Sequence, residues 1–258
     1  MDPREAHFEA FVNRIGDVLG HADRREPFTH YCTGLLLPGE RKSVEPMAAQ
    51  VAPDRVRSAH QSLHHFVADA AWSDAALLAA VRDYVRERVM KRAGAPEAVL
   101  IDDTGIPKQG RHSVGVARQY CGQLGKQDNC QVAVSVSVAN ERYSLPVGYR
   151  LYLPEEWAED AERRRKAKVP QEIAFATKPA IALALLRELK AAGALPPLAI
   201  ADAGYGNGGE FRDALRALEI DYVVGITSTP KVWPQGVEPA PPKPYGGRGR
   251  KPLRRPPD

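Results

Sequence analysis

The segment that decides the fold is residues 98–140, which opens with AVLIDDTGIPKQG. Four apolar residues precede two adjacent carboxylates, Asp102 and Asp103, and the turn-forming sequence Thr-Gly-Ile-Pro follows. An apolar run that stops at a turn predicts a buried strand with the acids at its end. Because side chains alternate between the two faces of a strand, only one of these acids shares a face with Leu100. A carboxylate at the end of a buried strand needs a cation, an ion pair or hydrogen bonds.

Three further strands are predicted after this one, at residues 113–120, 130–139 and 143–153. The middle strand, CQVAVSVSVA, alternates with a period of two, which puts its four valines on one face and its two serines on the other. Short turns separate these strands, and short turns can join only antiparallel strands. This part of the chain is therefore predicted to be an antiparallel meander.

Helices and strands alternate in the next part of the chain. An apolar stripe over residues 181–189 predicts a helix, and residues 198–201 form an apolar run that ends at Asp202. A helix at 210–218 and a further apolar strand at 222–226 follow. The fold class is therefore predicted to be α/β, with a mixed sheet in which two of the strands end in an aspartate.

Two segments of different composition flank the predicted sheet. Residues 1–95 contain apolar patterns at helical spacing and are predicted to be an all-α region, whereas residues 96–228 hold the α/β core. Residues 229–258 are rich in proline and arginine, and residues 231–258 carry seven Lys or Arg against two acids. Such a composition cannot bury a core and is typical of an insertion or a disordered tail.

Composition excludes several classes of protein. The 258 residues carry a net charge of +4, with 43% hydrophobic and 26% charged residues, which is ordinary for a globular chain. Three cysteines cannot form a disulfide scaffold. No apolar run reaches the roughly 20 residues that span a bilayer. The charged N-terminal sequence MDPREAHFEAFVNRIG lacks the apolar core of a signal peptide, so we expect a cytoplasmic protein.

The two strand-end aspartates define a candidate site. If the first strand and the strand at 198–201 are neighbours, Asp103 and Asp202 project into one cleft. Two carboxylates held close together repel each other unless a cation lies between them. Oxygen ligands favour a hard cation such as Mg²⁺ or Mn²⁺. Two such ions roughly 3.5–4 Å apart promote in-line attack on a phosphodiester.

Two stretches carry a resemblance to a known family: IDDTGIPKQGRHSVGVARQYCGQLGKQDNCQVAVSVSVAN at 101–140 and IADAGYGNGGEF at 200–211. They resemble the catalytic core of bacterial insertion-sequence transposases of the DDE class, which has a ribonuclease-H-like fold. The resemblance implies a cut-and-paste DNA transposase that hydrolyses phosphodiesters and transfers strands at element ends. It also implies a two-metal site for Mg²⁺ or Mn²⁺ and double-stranded DNA as partner. It suggests residues 1–95 as a DNA-binding region and allows a homodimer on DNA.

The resemblance also assigns roles to individual acids. The family's first catalytic aspartate ends the first strand before a threonine, which matches Asp103 better than Asp102, and Asp202 matches the second. The third family acid is a glutamate on a later helix, and this sequence shows no such helix. The glutamates that remain lie in a proline-rich run or on the wrong element: Glu238, Glu210 and Glu219. We therefore expect an incomplete enzyme that is weak or inactive alone.

Basic side chains near the predicted cleft are candidate contacts for DNA phosphates. Four of them flank the cleft in the sequence, and three form a cluster in the charged connector after the meander. They are Lys108, Arg111, Arg118, Lys126, Arg163, Arg164 and Arg165. Each of them alone is as often a solvated charge. Trp157 in the same connector can stack on a base, although packing in a core or a lid is the commoner role.

Two other interpretations compete with this one. The loop after Asp202 contains Gly204-x-Gly206-x-x-Gly209, the fingerprint of a dinucleotide-binding turn. Against that hypothesis, Asp202 would lie beside the pyrophosphate, and no acid ends the next strand, about 20 residues further on. The second alternative is a non-catalytic remnant or inhibitor of transposition, which would bind element ends without cutting them.

Overall fold

The structure is a computed structural model that describes residues 2–228, 236–237 and 246–247. The predicted tail at 229–258, which includes Glu238, lies outside the described residues except for those two short pairs. Within the described part of the chain, no helix is both long enough and apolar enough to cross a membrane.

The first of two compact units consists of Met1–Pro96 and Asn140–Gly148. Helices make up most of its first 93 residues, which confirms the all-α prediction for the N-terminal region. Its buried side chains form two clusters, one containing Ile15 and the other Leu63. The helices are α1 (Pro3–Gly16), α2 (Arg25–Leu36), α3 (Val44–Val51), α4 (Val56–Ala68), α5 (Asp74–Tyr84) and α6 (Lys91–Ala93), with 3₁₀ turns at Asp17–Leu19, Ala22–Arg24 and Pro53–Arg55.

Helices α5 and α6 form one continuous helical stretch, because a π-helix over Val85–Met90 joins them. Ser73 caps its start: the hydroxyl accepts a hydrogen bond from the backbone N–H of Ala76 at 3.2 Å. Gly94 ends it with a φ of +90°, a conformation that favours glycine.

The second compact unit consists of Glu97–Ala139 and Tyr149–Asp258 and contains most of the mixed sheet. The strands are β1 (Ala98–Pro107), β2 (Ala117–Cys121), β3 (Lys126–Asn140), β4 (Tyr143–Leu151), β5 (Leu198–Ala201) and β6 (Asp221–Val224), and a 3₁₀ turn at Gly122–Leu124 follows β2. Their order is β2-β3-β1-β5-β6, and β4 also pairs with β3. Strands β1 and β2 run antiparallel to β3, whereas β5 is parallel to β1 and β6 to β5. The predicted mixed α/β sheet is confirmed.

Strand β3 is the centre of the antiparallel part. Its 15 residues are long enough to pair with β2 at the start and with β1 over the rest, so β1 lies beside β3 and not beside β2. The valines predicted to share one face, from Val132 to Val138, are at most 1% exposed. Val99 and Ile101 of β1 pair with two of them and are buried as well. The period-two pattern therefore predicted the core face correctly.

The helices of this unit lie between and after the strands. The longest one contributes five buried side chains, among them Leu185, Leu186 and Leu189, to the core. This apolar stripe was predicted from the spacing. The helices are α7 (Glu155–Glu159), α8 (Ala161–Lys166), α9 (Lys178–Ala191), α10 (Ala203–Gly206) and α11 (Gly209–Ala217).

Candidate active site

Asp202 follows the last residue of β5, whereas Asp103 lies within the neighbouring strand β1. The prediction that β1 stops at its acids was wrong, because the strand continues to Pro107 along its pairing with β3. β1 and β5 are parallel, and their last registered pair is Ile101 with Ala201. Asp102 and Asp103 come directly after Ile101, and Asp202 comes directly after Ala201. All three acids therefore lie at the carboxyl end of the β1–β5 pair, the end at which open α/β sheets form their ligand sites.

The acids differ in exposure and in the face they occupy. The side chain of Asp103 is 24% exposed and lies on the face of the buried Ile101, whereas Asp102 is exposed on the other face. Alternation along β5 puts Asp202 on the face opposite to Ala201, which is the side of Asp102. Because β5 stops here while β1 continues along β3, acids from both faces border the space beyond the end of β5.

The hydroxyl of Tyr205 lies within the electric field of all three acids. Tyr205 belongs to α10, is 2% exposed, and its hydroxyl has no hydrogen-bond partner among the described residues. Burial and the negative charges of Asp103, Asp102 and Asp202 together raise the pKa of this hydroxyl well above its usual range. The three carboxylates therefore share one neighbour, which stays protonated at neutral pH.

Lys178 is a functional residue that the sequence reasoning missed. It is the first residue of α9, and its ammonium group forms an ion pair with the Asp103 carboxylate. The ammonium also lies 5.8 Å from the ring centroid of Tyr152. A cation at the N-terminus of a helix is disfavoured by the helix dipole, and the first turn of α9 contains no acid. A lysine at that position was the available signal that an acid elsewhere compensates it.

Asp202 follows β5 and caps α10. One of its carboxylate oxygens, Oδ1, accepts a hydrogen bond from the backbone N–H of Gly204 at 2.9 Å. Gly206 is required because α10 closely approaches the end of β6, and a Cβ there would lie 2.1 Å from the carbonyl oxygen of Gly225. This close packing gives the middle glycine of the apparent dinucleotide fingerprint a structural role.

The described residues contain no ready-made site with three metal-binding side chains. No group of three or more His, Cys, Asp or Glu side chains within them is arranged to hold a metal ion. Glu210 lies in the first turn of α11. Glu219 pairs with Lys190 at 3.4 Å, and Glu238 lies outside the described residues.

Two of the predicted DNA-contacting arginines are engaged inside the α/β unit. The guanidinium of Arg163 lies 3.7 Å from the ring centroid of Trp157 and donates to the carbonyl oxygen of Arg111 at 3.0 Å. Arg164 donates to backbone carbonyls of the same connector. Trp157 is fully buried, and its indole N–H donates to the carbonyl oxygen of Val116 at 2.8 Å. Of the roles considered for this tryptophan, core packing is the one that the structure supports.

The other predicted cations are more accessible. Lys126 pairs with Asp128 at 3.0 Å, and both Lys126 and Arg118 lie on the β2–β3 hairpin. Lys108 is half-buried just after β1. The exposed members of the set are Arg111, Arg118, Lys126 and Arg165.

Comparison with known proteins identifies the family of the chain. A family model described as DDE superfamily endonuclease matches residues 14–258. The chain is also 33% identical over 204 residues to the probable transposase for insertion sequence element IS701 of Microchaete diplosiphon. That match covers 79% of this chain and 49% of the relative, so the chain spans about half the length of the curated relative. The chain therefore belongs to the DDE superfamily of endonucleases.

Proposed function

We propose that this chain supplies the catalytic centre of a cut-and-paste DNA transposase, with Asp103 and Asp202 as its metal-binding acids. The observation that carries the proposal is the placement of both acids just beyond the last registered pair of the adjacent parallel strands β1 and β5. The 33% sequence identity to a protein described as a probable transposase supports DNA as the substrate. The proposed reaction is hydrolysis of a phosphodiester at the element ends, followed by strand transfer.

The donor set at the strand ends fits Mg²⁺ or Mn²⁺. Mg²⁺ prefers oxygen ligands and is commonly held by one or two carboxylates together with the phosphates of a substrate. Asp103 and Asp202 would hold the ion, which, when bound, activates the attacking oxygen and offsets negative charge on the phosphate. The unpartnered hydroxyl of Tyr205 supports this assignment, because it is a spare donor beside the acids.

Lys178 and Tyr205 are proposed to act on the metal-binding acids, Lys178 as a counter-ion and Tyr205 as a hydrogen-bond donor. In the free protein the ammonium of Lys178 compensates the charge of Asp103, and it has to leave the carboxylate before a metal ion can take its place. Tyr205 keeps its proton because burial and the neighbouring acids raise its pKa. Its hydroxyl therefore serves as a hydrogen-bond donor to a carboxylate oxygen or a water at the site.

The seven predicted cations are proposed to hold DNA phosphates around this centre. Arg111, Arg118, Lys126 and Arg165 are exposed and contribute direct contacts, and Lys108 follows the strand that bears Asp103. Arg163 and Arg164 donate some of their N–H groups to backbone carbonyls, so they contribute mainly positive charge. We further propose two copies of the chain on DNA, since an element has two ends to be joined.

The chain is proposed to be weak or inactive alone. A two-metal centre requires more ligands than Asp103 and Asp202 supply, and no third metal-binding side chain joins them among the described residues. The same observation favours a second candidate function. In that case the chain binds element ends without cutting them and inhibits transposition.

Strand cleavage and DNA binding, measured side by side, test these proposals. Duplex DNA with candidate terminal repeats is incubated with the full chain and Mg²⁺ or Mn²⁺, and a gel-shift assay uses the same DNA. Cleavage that is lost in Asp103→Asn and Asp202→Asn, with DNA binding retained, supports the catalytic function. Binding without cleavage supports the second candidate. Cleavage that persists in Asp103→Asn removes this residue from the site.

A further inference from the structure

The helical unit contains a groove that the proposed catalytic centre does not use. It has a volume of about 300 Å³ and is lined by α1 and by the continuous helical stretch that includes the π-helix. Four of its lining side chains are basic, and an aromatic ring and a valine lie among them. The lining residues that matter here are His7, Arg14, Tyr84, Arg88, Val89 and Arg92.

Two of these arginines have no partner among the residues that the structure describes. Arg14 is held by Glu87 through two hydrogen bonds, at 2.7 and 2.9 Å, so its charge is compensated within the unit. Arg88 and Arg92 are exposed, and in the part of the chain that the structure describes neither forms an ion pair or a side-chain hydrogen bond. The groove therefore presents two uncompensated positive charges beside a compensated one.

The spacing of the groove residues concentrates this charge. Tyr84, Arg88 and Arg92 all line the groove, which brings them to one side of the helical stretch. Like charges close together repel each other. The intervening π-helix, Val85–Met90, is itself a feature that occurs often at functional sites. Two cations in one groove without a counter-ion among the described residues indicate a ligand that compensates the charge.

The aromatic ring of the groove packs against neighbouring side chains of the helical unit. The ring of Tyr84 packs edge-on against Phe11, with 5.0 Å between the ring centroids. The guanidinium of Arg14 lies 5.9 Å from the Tyr84 ring centroid. A groove that contains several guanidinium groups suits a sugar–phosphate backbone, because guanidinium forks match phosphate oxygens.

We propose that this groove binds the phosphate backbone of duplex DNA through Arg88 and Arg92. The identification of the polyanion as DNA rests on the proposed transposase function, whereas the presence of an anion site rests on the groove alone. The contact is independent of sequence, because phosphates carry no base information. It anchors the helical unit to DNA while leaving the selection of element ends to other residues.

The same helical turn provides a matched control. Arg86 lies in the π-helix but pairs with Asp83 at 2.7 Å and does not line the groove. Replacing it removes one positive charge from the same segment without touching the groove. A difference between Arg86→Ala and either single variant, Arg88→Ala or Arg92→Ala, each of which also removes one charge, therefore reports on the groove and not on the overall charge of the helical unit.

The experiment measures binding of a fluorescent duplex by the full chain over a range of salt concentrations. In Arg88→Ala/Arg92→Ala we expect binding roughly tenfold or more weaker, and a slope of log affinity against log salt reduced by about 1.8, as for two lost phosphate contacts. In Arg88→Lys/Arg92→Lys the slope is retained. In Arg86→Ala we expect the slope to fall by less than about 0.9, the change for one lost phosphate contact. Thermal unfolding of each variant checks that the fold is unchanged.

Three results would overturn the inference: no duplex binding by the wild type, an unchanged slope in the Arg88→Ala/Arg92→Ala variant, or an equal loss in Arg86→Ala. Binding of inorganic phosphate by the wild type, lost in the double variant, together with no duplex binding, would keep the anion site but remove DNA as its ligand. The catalytic proposal is judged separately by cleavage in Asp103→Asn, so failure of one proposal does not imply failure of the other.

Discussion

The two units differ in how they treat the charges at their candidate sites. At the carboxyl end of the β1–β5 pair in the α/β unit, here called the sheet edge, both proposed metal-binding acids have an internal partner. Lys178 pairs with Asp103, and a backbone N–H donates to Asp202. In the groove of the helical unit, Arg88 and Arg92 have none among the described residues. A compensated charge holds the free protein in order but must exchange its partner before it binds a ligand. An uncompensated charge costs stability but is ready to bind.

This comparison predicts that the two sites fail in different ways when they are altered. The largest effect is expected at the sheet edge, for Asp103→Asn and Asp202→Asn. Each change removes a ligand of the proposed metal site, so we expect no measurable Mn²⁺ binding by calorimetry and complete loss of any weak cleavage by the wild type. DNA affinity, set by cations elsewhere, is expected to stay within about twofold.

Asp102→Asn is the matched control for this prediction. Asp102 adjoins Asp103 and acts on the same Tyr205 hydroxyl, but it lies on the other face of β1. We expect its Mn²⁺ affinity to fall by less than about tenfold. A complete loss in Asp102→Asn together with a mild effect in Asp103→Asn would transfer the metal-binding role to Asp102, which shares a face with Asp202.

The next effect concerns Trp157, the buried ring that Arg163 contacts in the α/β unit. Trp157→Ala removes a fully buried indole together with its hydrogen bond to Val116 and the ring under Arg163. We expect a loss of about 3–5 kcal/mol in the free energy of unfolding, measured by urea denaturation. The exposed Arg165, replaced by Ala, should change it by less than about 0.5 kcal/mol. Equal stability of both variants would contradict the structural role of Trp157.

A smaller effect is expected for the counter-ion of Asp103. Lys178→Gln removes the ammonium that competes with a metal ion for the Asp103 carboxylate. Since such an ion pair contributes about 1–2 kcal/mol, Mn²⁺ should bind the variant roughly five- to thirty-fold more tightly than the wild type. Lys178→Arg keeps the charge and should leave the affinity near that of the wild type. Lys190→Gln changes an ion-paired lysine at the other end of α9 and is the control. Weaker Mn²⁺ binding in Lys178→Gln would show that the lysine supports the ion.

Sequence patterns predicted the parts of the molecule that depend on local spacing. The alternating valines of β3 and the apolar runs ending at Asp103 and Asp202 gave the mixed sheet, and the order of elements suggested that β1 and β5 are neighbours. Lys178 was missed because its partner lies 75 residues away in the chain. The groove was missed because α1 and residues 84–93 look like ordinary charged helices until the fold brings them together.

The smallest predicted effect tests whether the sheet edge also holds one uncompensated group. The Tyr205 hydroxyl is buried without a partner among the described residues, and such a group costs about 1 kcal/mol or more. In the absence of metal, Tyr205→Phe should therefore raise the free energy of unfolding by about 1 kcal/mol. Tyr222→Phe, at a half-buried ring on β6, should leave it unchanged. Loss of stability in Tyr205→Phe would mean that the hydroxyl is already hydrogen-bonded at the acids, so that this edge, unlike the groove, is fully compensated.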